Sequence, residues 1–328
     1  PRGGELLGLV RTAIAEIASV PSVEPEQSLR EIGLDSLDLL RLAIELETRV
    51  ARPVAMVDVM EGGSASAIAS RIAAEIDRED ADVVSLQVGS SPHGRALYCI
   101  PGVGGTVFSF QSIIDGLPEW LSVHGLPYPG TAGRVEPLRR IPLMGRMFAD
   151  RIKATNGQAS ILLGYSLGGF VAFEAARILA ASGPSPKVVV IDSAPLALSS
   201  RRSLASRVMN PREWKMRFQN VLPAGILDRM GSGARGRTLQ SLRGVVAAGF
   251  EAMRHYDPEP APIDVVLLRT TETDFGSVAG ARDLGWGDLA RSVEVQEIQT
   301  SHLECFRGGS MDLARVVRAI VERSVAGD

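Results

Sequence analysis

The strongest chemical signal in the chain lies in residues 160–169, Ser160-Ile-Leu-Leu-Gly-Tyr-Ser-Leu-Gly-Gly169. An apolar run, Ile161 to Leu163, enters a Gly-x-Ser-x-Gly turn, and a helical stretch, Phe170 to Ala181, leaves it. In that context Ser166 sits exposed on a sharp strand-to-helix bend. Gly164 and Gly168 let the backbone pass closely at the bend, and the helix after it aims its first N–H groups at developing negative charge. The chemistry this permits is nucleophilic attack on an acyl carbonyl. A serine hydroxyl is a poor nucleophile at neutral pH, so it needs an imidazole to take its proton, and the imidazole needs a carboxylate to orient it. A serine serving only as a helix cap would not require both glycines.

Several residues could complete such a set. Val188-Val-Val-Ile-Asp-Ser193 puts Asp192 at the C-terminal end of a strand, where α/β sheets carry ligands and reactive groups. Glu272 and Asp274, in Thr271-Glu-Thr-Asp274, come after the next strand and are alternatives. Among the histidines, His302 in Thr300-Ser-His-Leu303 comes after the last strand, His124 ends a buried strand, and His255 precedes a Tyr-Asp-Pro turn. His93 lies in a polar stretch and is expected to be solvated.

The elements that must position these groups alternate strand and helix from residue 96 onward, the pattern of a mostly parallel sheet covered on both faces. Strands read as Leu97–Ile100, Leu121–Gly125, Ile161–Leu163, Val188–Ile191, Val265–Leu268 and Val293–Ile298. Helices read as Val107–Ile114, Pro137–Thr155, Phe170–Ala181 and Met311–Arg323. Between Pro195 and Tyr256 a long insertion, helix-like and rich in arginine, has the size of a lid rather than of a loop.

The N-terminal part has a different period. Leu6, Leu7, Val10, Ile14 and Ile17 form a helical stripe that Pro21 and Pro25 end. A second helix opens at Asp35 and Ser36 and shows a wide apolar face of Leu37, Leu39, Leu40, Ala43, Ile44 and Leu46 before Pro53. A short turn near Val57–Met60 leads to Ser64, an N-cap, and to a last helix with Ile68, Ile72 and Ile76. The result is a small four-helix bundle. Residues 79–95 combine charge with Gly, Ser and Pro and read as a linker, in which Val83–Val88 could add a strand to the C-terminal domain.

Residues 5–78 resemble the carrier-protein domains of polyketide and nonribosomal peptide assembly lines, on the strength of Gly33-Leu-Asp-Ser-Leu37 at the start of the second helix. The resemblance implies that Ser36 carries 4′-phosphopantetheine, installed by a phosphopantetheinyl transferase, whose terminal thiol holds an acyl or peptidyl chain. Gly-Leu-Asp is closer to acyl carriers than the Gly-Gly-Asp of many peptidyl carriers, which leaves the upstream synthase modules open between the two chemistries. A serine at a helix N-terminus suits a phosphodiester on physical grounds as well.

Residues 96–325 resemble α/β-hydrolases, and more narrowly the thioesterase domains that end assembly-line synthases, on strand order, bend and insertion. This resemblance implies Asp192 as the acid and His302 as the base, in the chain order Ser166, Asp192, His302. It also implies an oxyanion hole from the N–H groups of Leu167 and of Val103, in the loop Pro101-Gly-Val-Gly-Gly105. The expected architecture is therefore an α/β-hydrolase with a helical lid, preceded by a four-helix carrier bundle. Its divisions are 1–78 carrier, 79–95 linker and 96–328 thioesterase, with the lid at about 196–256. The expected reaction is transfer of the carrier-bound chain to Ser166 and release by water, with macrocyclisation or transfer to an external amine or alcohol as alternatives. Arginines of the insertion, from Arg201 through Arg243, are expected to meet the acidic carrier helix with Asp35, Asp38, Glu45 and Glu47, or the phosphate of its arm.

Composition sets the outer limits. With 328 residues and 45% of them apolar, the chain exceeds what one core usually serves and can bury a large one. A net charge of −3 gives no footprint for nucleic acid, and no apolar run reaches the length of a membrane span. Two cysteines, Cys99 and Cys305, suit a reducing cytoplasm, and Pro1 in place of an initiator methionine points to a piece of a longer polypeptide.

Overall fold

The computed structural model describes residues 3–29, 31–34, 36–50, 54, 58–59, 62–73, 83–90, 95–105, 107–131, 135–155, 158–195, 237–272, 281–302, 304–306 and 310–326. These divide into two compact units, one centred on the N-terminal helices and one on a sheet.

The first unit is built on α1 (Gly3–Ala18), α2 (Ser36–Val50) and α3 (Ala65–Ala73). Leu6, Val10, Ala13 and Ile14 bury one face of α1, and Ile68 and Ile72 do the same for α3. Ser64 caps α3: its carbonyl accepts the Ile68 N–H at 3.0 Å and its hydroxyl the Ala67 N–H at 3.4 Å. In α2 the buried stripe is Leu42, Ala43, Leu46 and Val50, whereas Leu39 and Ile44 are only half-buried. A helix with leucine or isoleucine at so many positions leaves its face uncertain by about one position, and packing makes the choice. Of the short turn near Val57–Met60, Asp58 and Val59 are helical; Val57, Met60, Pro53 and Ile76 lie outside the described residues.

The second unit is a seven-stranded sheet. Its strands are β1 (Val84–Gln87), β2 (Arg95–Ile100), β3 (Ser122–Gly125), β4 (Gln158–Tyr165), β5 (Lys187–Ile191), β6 (Asp264–Glu272) and β7 (Ser292–Ser301). They lie in the order β1-β3-β2-β4-β5-β6-β7, all parallel except β1, which runs antiparallel to β3 and is the strand expected within Val83–Val88. Tyr98, Cys99, Leu162, Leu163, Val189 and Val190 are at most 1% exposed, as a sheet covered on both faces requires.

The helices of this unit are α4 (Gln111–Ile114), α5 (Ile141–Ala154), α6 (Leu167–Ala180), α7 (Arg237–Arg254) from Val246 onward, and α8 (Ser310–Ala326). Expected Val107–Ile114 resolves into a 3₁₀ turn, Phe108–Phe110, and then α4. Expected Pro137–Thr155 begins only at Ile141, because Arg140 is extended and Pro142 occupies the first turn. Of the insertion, α7 is described; Arg201 through Arg235 and the Arg237 side chain lie outside the described residues, while Arg243 is exposed. The chain builds β3 on one side of β2 and then crosses to build β4 on the other. The sheet therefore switches direction between β2 and β4, and the C-terminal ends of that pair are where such folds place their sites.

At the opposite end, the Arg291 guanidinium hydrogen-bonds the Asp264 carboxylate, with Ser292 adding a bond of 2.6 Å, and holds its pKa down to about 2. A depressed carboxylate contributes stability above its unfolded value of about 3.9 and loses it as pH falls towards the folded value. The pair is exposed, so the contribution is under about 1 kcal/mol. Asp264→Asn should lower the thermal midpoint slightly at pH 7, and calorimetry should show the difference closing between about pH 4 and pH 2.

Candidate active site

The bend after β4 has the geometry that its glycines allow. Ser166 adopts φ 54° and ψ −116°, a conformation few non-glycine residues take, and α6 starts with the next residue. A Cβ on Gly164 would strike the backbone of Gly168, and one on Gly168 the carbonyls of Ile100 and Pro101. The helix can thus leave the sheet directly beneath the serine. Three hydrogen bonds hold the strained residue. Its N–H donates to Ile191 O at 3.0 Å, and its own carbonyl accepts the Ser193 hydroxyl at 2.6 Å and the Gly169 N–H at 3.1 Å.

Asp192 comes directly after β5 with φ 50° and is fully buried. Its N–H donates to Leu268 O at 2.9 Å, and its Oδ1 accepts the Thr270 N–H at 3.3 Å. Its Oδ2 lies 2.8 Å from Nδ1 of His302. A buried carboxylate at that nitrogen fixes the tautomer with the proton on Nδ1 and leaves Nε2 free to act as a base. The imidazole is also stacked on Tyr165, the residue before Ser166, with ring centroids 4.8 Å apart.

The structure thus brings Asp192 and His302 together and stacks the imidazole on Tyr165, the residue before Ser166. His124 is elsewhere in the sheet, its ring tilted against Tyr98 with centroids 5.1 Å apart, and burial lowers its pKa, the behaviour of a packed neutral histidine. His255 lies just past α7 with an exposed side chain. Glu272 ends β6 and pairs with Ser301, its side chain not among those described, and Asp274 lies outside the described residues, as does His93. The carboxylate at the imidazole therefore comes from the end of β5, and β6 contributes the Thr270 N–H as a donor to that carboxylate.

The loop after β2 faces the bend. A Cβ on Gly102 would come 3.1 Å from the Tyr165 ring and 3.5 Å from Cβ of Ser166. The loop is clamped by Tyr128, whose N–H donates to Gly105 O and whose hydroxyl donates to Pro101 O, both at 3.0 Å. Burial holds the Tyr128 phenol well above its usual range, so it remains a donor. Leu167 is the first residue of α6, so the helix does not use its N–H. Over Val103 and Leu167 lies Gly249 of α7: a Cβ there would come 3.0 Å from Leu167 Cδ2 and 3.5 Å from Val103 Cα.

Two further residues support the set from behind. Trp286 is fully buried against Phe170 and Phe173, and its indole N–H donates to Ser193 O at 2.8 Å. Ser193 in turn holds Ser166. Pattern reading does not single out Ser193, whose one sequence signal is that it sits directly after Asp192.

In the first unit, Ser36 is the first residue of α2, after Gly33 with φ 86°. The residue type and the helix N-terminus both fit a phosphodiester there. No group of three or more metal-ligating residues occurs among the described residues, and no described helix is long and apolar enough to cross a membrane.

A doubly wound sheet with a serine on this bend and a carboxylate–imidazole pair beside it defines an α/β-hydrolase. Residues 95–217 match the thioesterase-domain family, a span that holds Ser166 and Asp192, and residues 8–72 match the phosphopantetheine attachment site, a span that holds Ser36. The chain thus carries a phosphopantetheine attachment domain followed by a thioesterase domain. A non-reducing polyketide synthase of Pseudevernia furfuracea is 29% identical over 204 residues, 61% of this chain and 9% of that protein. Among solved structures, a four-domain nonribosomal peptide synthetase bound to AMP and glycine superposes with a TM-score of 0.59 at 20% identity, over 96% of this chain and 26% of that one. The Vlm2 thioesterase domain, bound with a dodecadepsipeptide, gives 0.55 at 21% identity, over 72% of this chain and 96% of that one. The chain spans about a tenth of the length of the curated relatives it matches.

Removing one support should be measurable without touching the reacting groups. Ser193→Ala deletes a hydrogen bond worth about 1 kcal/mol while leaving the Gly169 N–H on Ser166 O. Calorimetry should show the midpoint of the sheet unit falling by about 2–4 °C.

Proposed function

We propose that this chain releases the finished product of an assembly line, with Ser36 as the carrier attachment site, Ser166 as nucleophile, His302 as base and Asp192 as its orienting acid. The domain divisions proposed are 1–78 for the carrier, 79–95 for the linker and 96–328 for the thioesterase. The observation that carries the reading is the 2.8 Å contact between Asp192 and His302, whose imidazole stacks on Tyr165, the sequence neighbour of the positive-φ Ser166.

A phosphopantetheine arm on Ser36 supplies the acyl or peptidyl chain as a thioester. His302 Nε2 takes the Ser166 proton as Oγ bonds to the carbonyl carbon. The negative charge that builds on the carbonyl oxygen falls to the N–H groups of Leu167 and Val103, each worth about 10² to 10³ in rate. The carbon–sulfur bond then breaks, and His302 returns its proton to the leaving sulfur. The acyl ester on Ser166 is cleaved by water, which His302 deprotonates in the same way, and the carboxylic acid leaves. Asp192 stays ionised throughout and stabilises the imidazolium formed twice per turnover.

Intact mass spectrometry after phosphopantetheinylation and acyl loading tests each assignment in turn. The arm should appear on Ser36 and not on a Ser36→Ala chain. An acyl adduct should appear on Ser166 and disappear in Ser166→Ala. Asp192→Asn should reduce turnover by about 10⁴, the cost of the wrong imidazole tautomer. Loaded carrier that empties at the wild-type rate in Ser166→Ala would overturn the reading, and a cyclic rather than acid product would replace water by a nucleophile within the chain.

A further inference from the structure

Asp192 hydrogen-bonds the His302 ring at Nδ1, and a base must point Nε2 at the serine. The histidine comes after β7, which has a sheet neighbour on only one side among the described residues.

We propose that Tyr165 is a positioning residue for acyl transfer: it ties the His302 ring and backbone to the same segment that carries Ser166. Its hydroxyl donates to the His302 carbonyl at 2.7 Å, and its ring stacks on the imidazole at 4.8 Å and 28°. On another side its ring meets Phe306 edge-on at 5.0 Å, and Gly102 of the loop after β2 packs against it. One side chain therefore touches the loop before the oxyanion donor, the histidine and the loop beyond it, and is covalently next to the nucleophile. Cys305 adds a second donor, with Sγ 3.3 Å from the same carbonyl. Burial pushes that thiol up to about 12, so it keeps its proton.

The two parts of the tyrosine do different things. The hydroxyl fixes the loop, and the ring fixes the rotation of the imidazole. The ring's π face also favours the imidazolium that forms as Ser166 attacks, an effect of roughly 2- to 5-fold in rate. The ionisable groups on the elements packed around the imidazole are Asp192 at the end of β5, Tyr165 at the end of β4, and Glu304 and Cys305 on its own loop. Substitution of Tyr165 leaves the other three in place.

The proposal rests on the release reading above, and its test uses the full chain with a fluorophosphonate, which needs no knowledge of the natural acyl group. The rate kinact and the constant KI are measured, per site labelled at Ser166. Tyr165→Phe keeps the ring and should lower kinact about 3- to 10-fold with KI unchanged. Tyr165→Leu loses both parts and should lower kinact about 30-fold or more, so that the conservative variant recovers part of the loss. Tyr165→Leu with kinact within twofold of wild type would overturn the proposal alone. A role confined to folding would reduce the labelled fraction and leave kinact per labelled site where it was, and that also counts against it. If Tyr165→Leu does not fold, Tyr165→Phe decides, and an unchanged kinact overturns the proposal. A wild-type chain that is not labelled at Ser166 would overturn the release reading and this inference with it.

Discussion

The site depends on a ladder of backbone hydrogen bonds that continues past the ends of two parallel strands. Beyond the end of β5, the Asp192 N–H still finds Leu268 O on β6; beyond the end of β4, the Ser166 N–H still finds Ile191 O on β5. Both donors belong to non-glycine residues at positive φ, 50° and 54°. Each such conformation costs on the order of 1–3 kcal/mol and persists only where its surroundings over-determine it. The sheet supplies that constraint from one direction and Ser193, bonded to both Ser166 and Trp286, from another. Asp192 and Ser166 are therefore held by adjacent strands of one rigid sheet, and neither depends on a loop for its position.

Glycine is what allows the strands to be used this way. The backbone of α6 starts so close to β2 and β4 that no side chain fits on Gly164, Gly168 or Gly169; on Gly169 a Cβ would meet the Ser193 hydroxyl. Without that approach, Ser193 could not reach the Ser166 carbonyl. The same small residues that bend the chain also make room for the hydrogen bond that stabilises the bend.

The histidine is held differently. It comes from an edge strand and a loop, and it gains its place from side chains: Asp192 at one nitrogen, Tyr165 across its face, and Tyr165 and Cys305 on its carbonyl. This division is chemically reasonable. Nucleophile and oxyanion donors must match a fixed transition-state geometry, while the base has to receive a proton from one partner and return it to another.

The physical form of each signal explains what was legible in the sequence. The central strands of the sheet were readable because fully buried parallel strands are continuous apolar runs between turns, β7 was readable because its residues alternate apolar and polar, and the bend was readable because its glycines are spaced by the geometry itself. Asp192 and Glu272 were not separable on position alone, since both end a strand; what separates them is that Asp192 meets an imidazole, a contact 110 residues apart in sequence. Ser193, Thr270 and Tyr165 carry no local pattern, because their roles consist of single hydrogen bonds or a ring contact made only once the sheet is assembled. In the carrier unit, Ala43 and Leu46 of the expected α2 face are buried, Leu39 and Ile44 only half so, and Leu42 and Val50 join them, because what packs against a wide apolar face decides which part of it is covered.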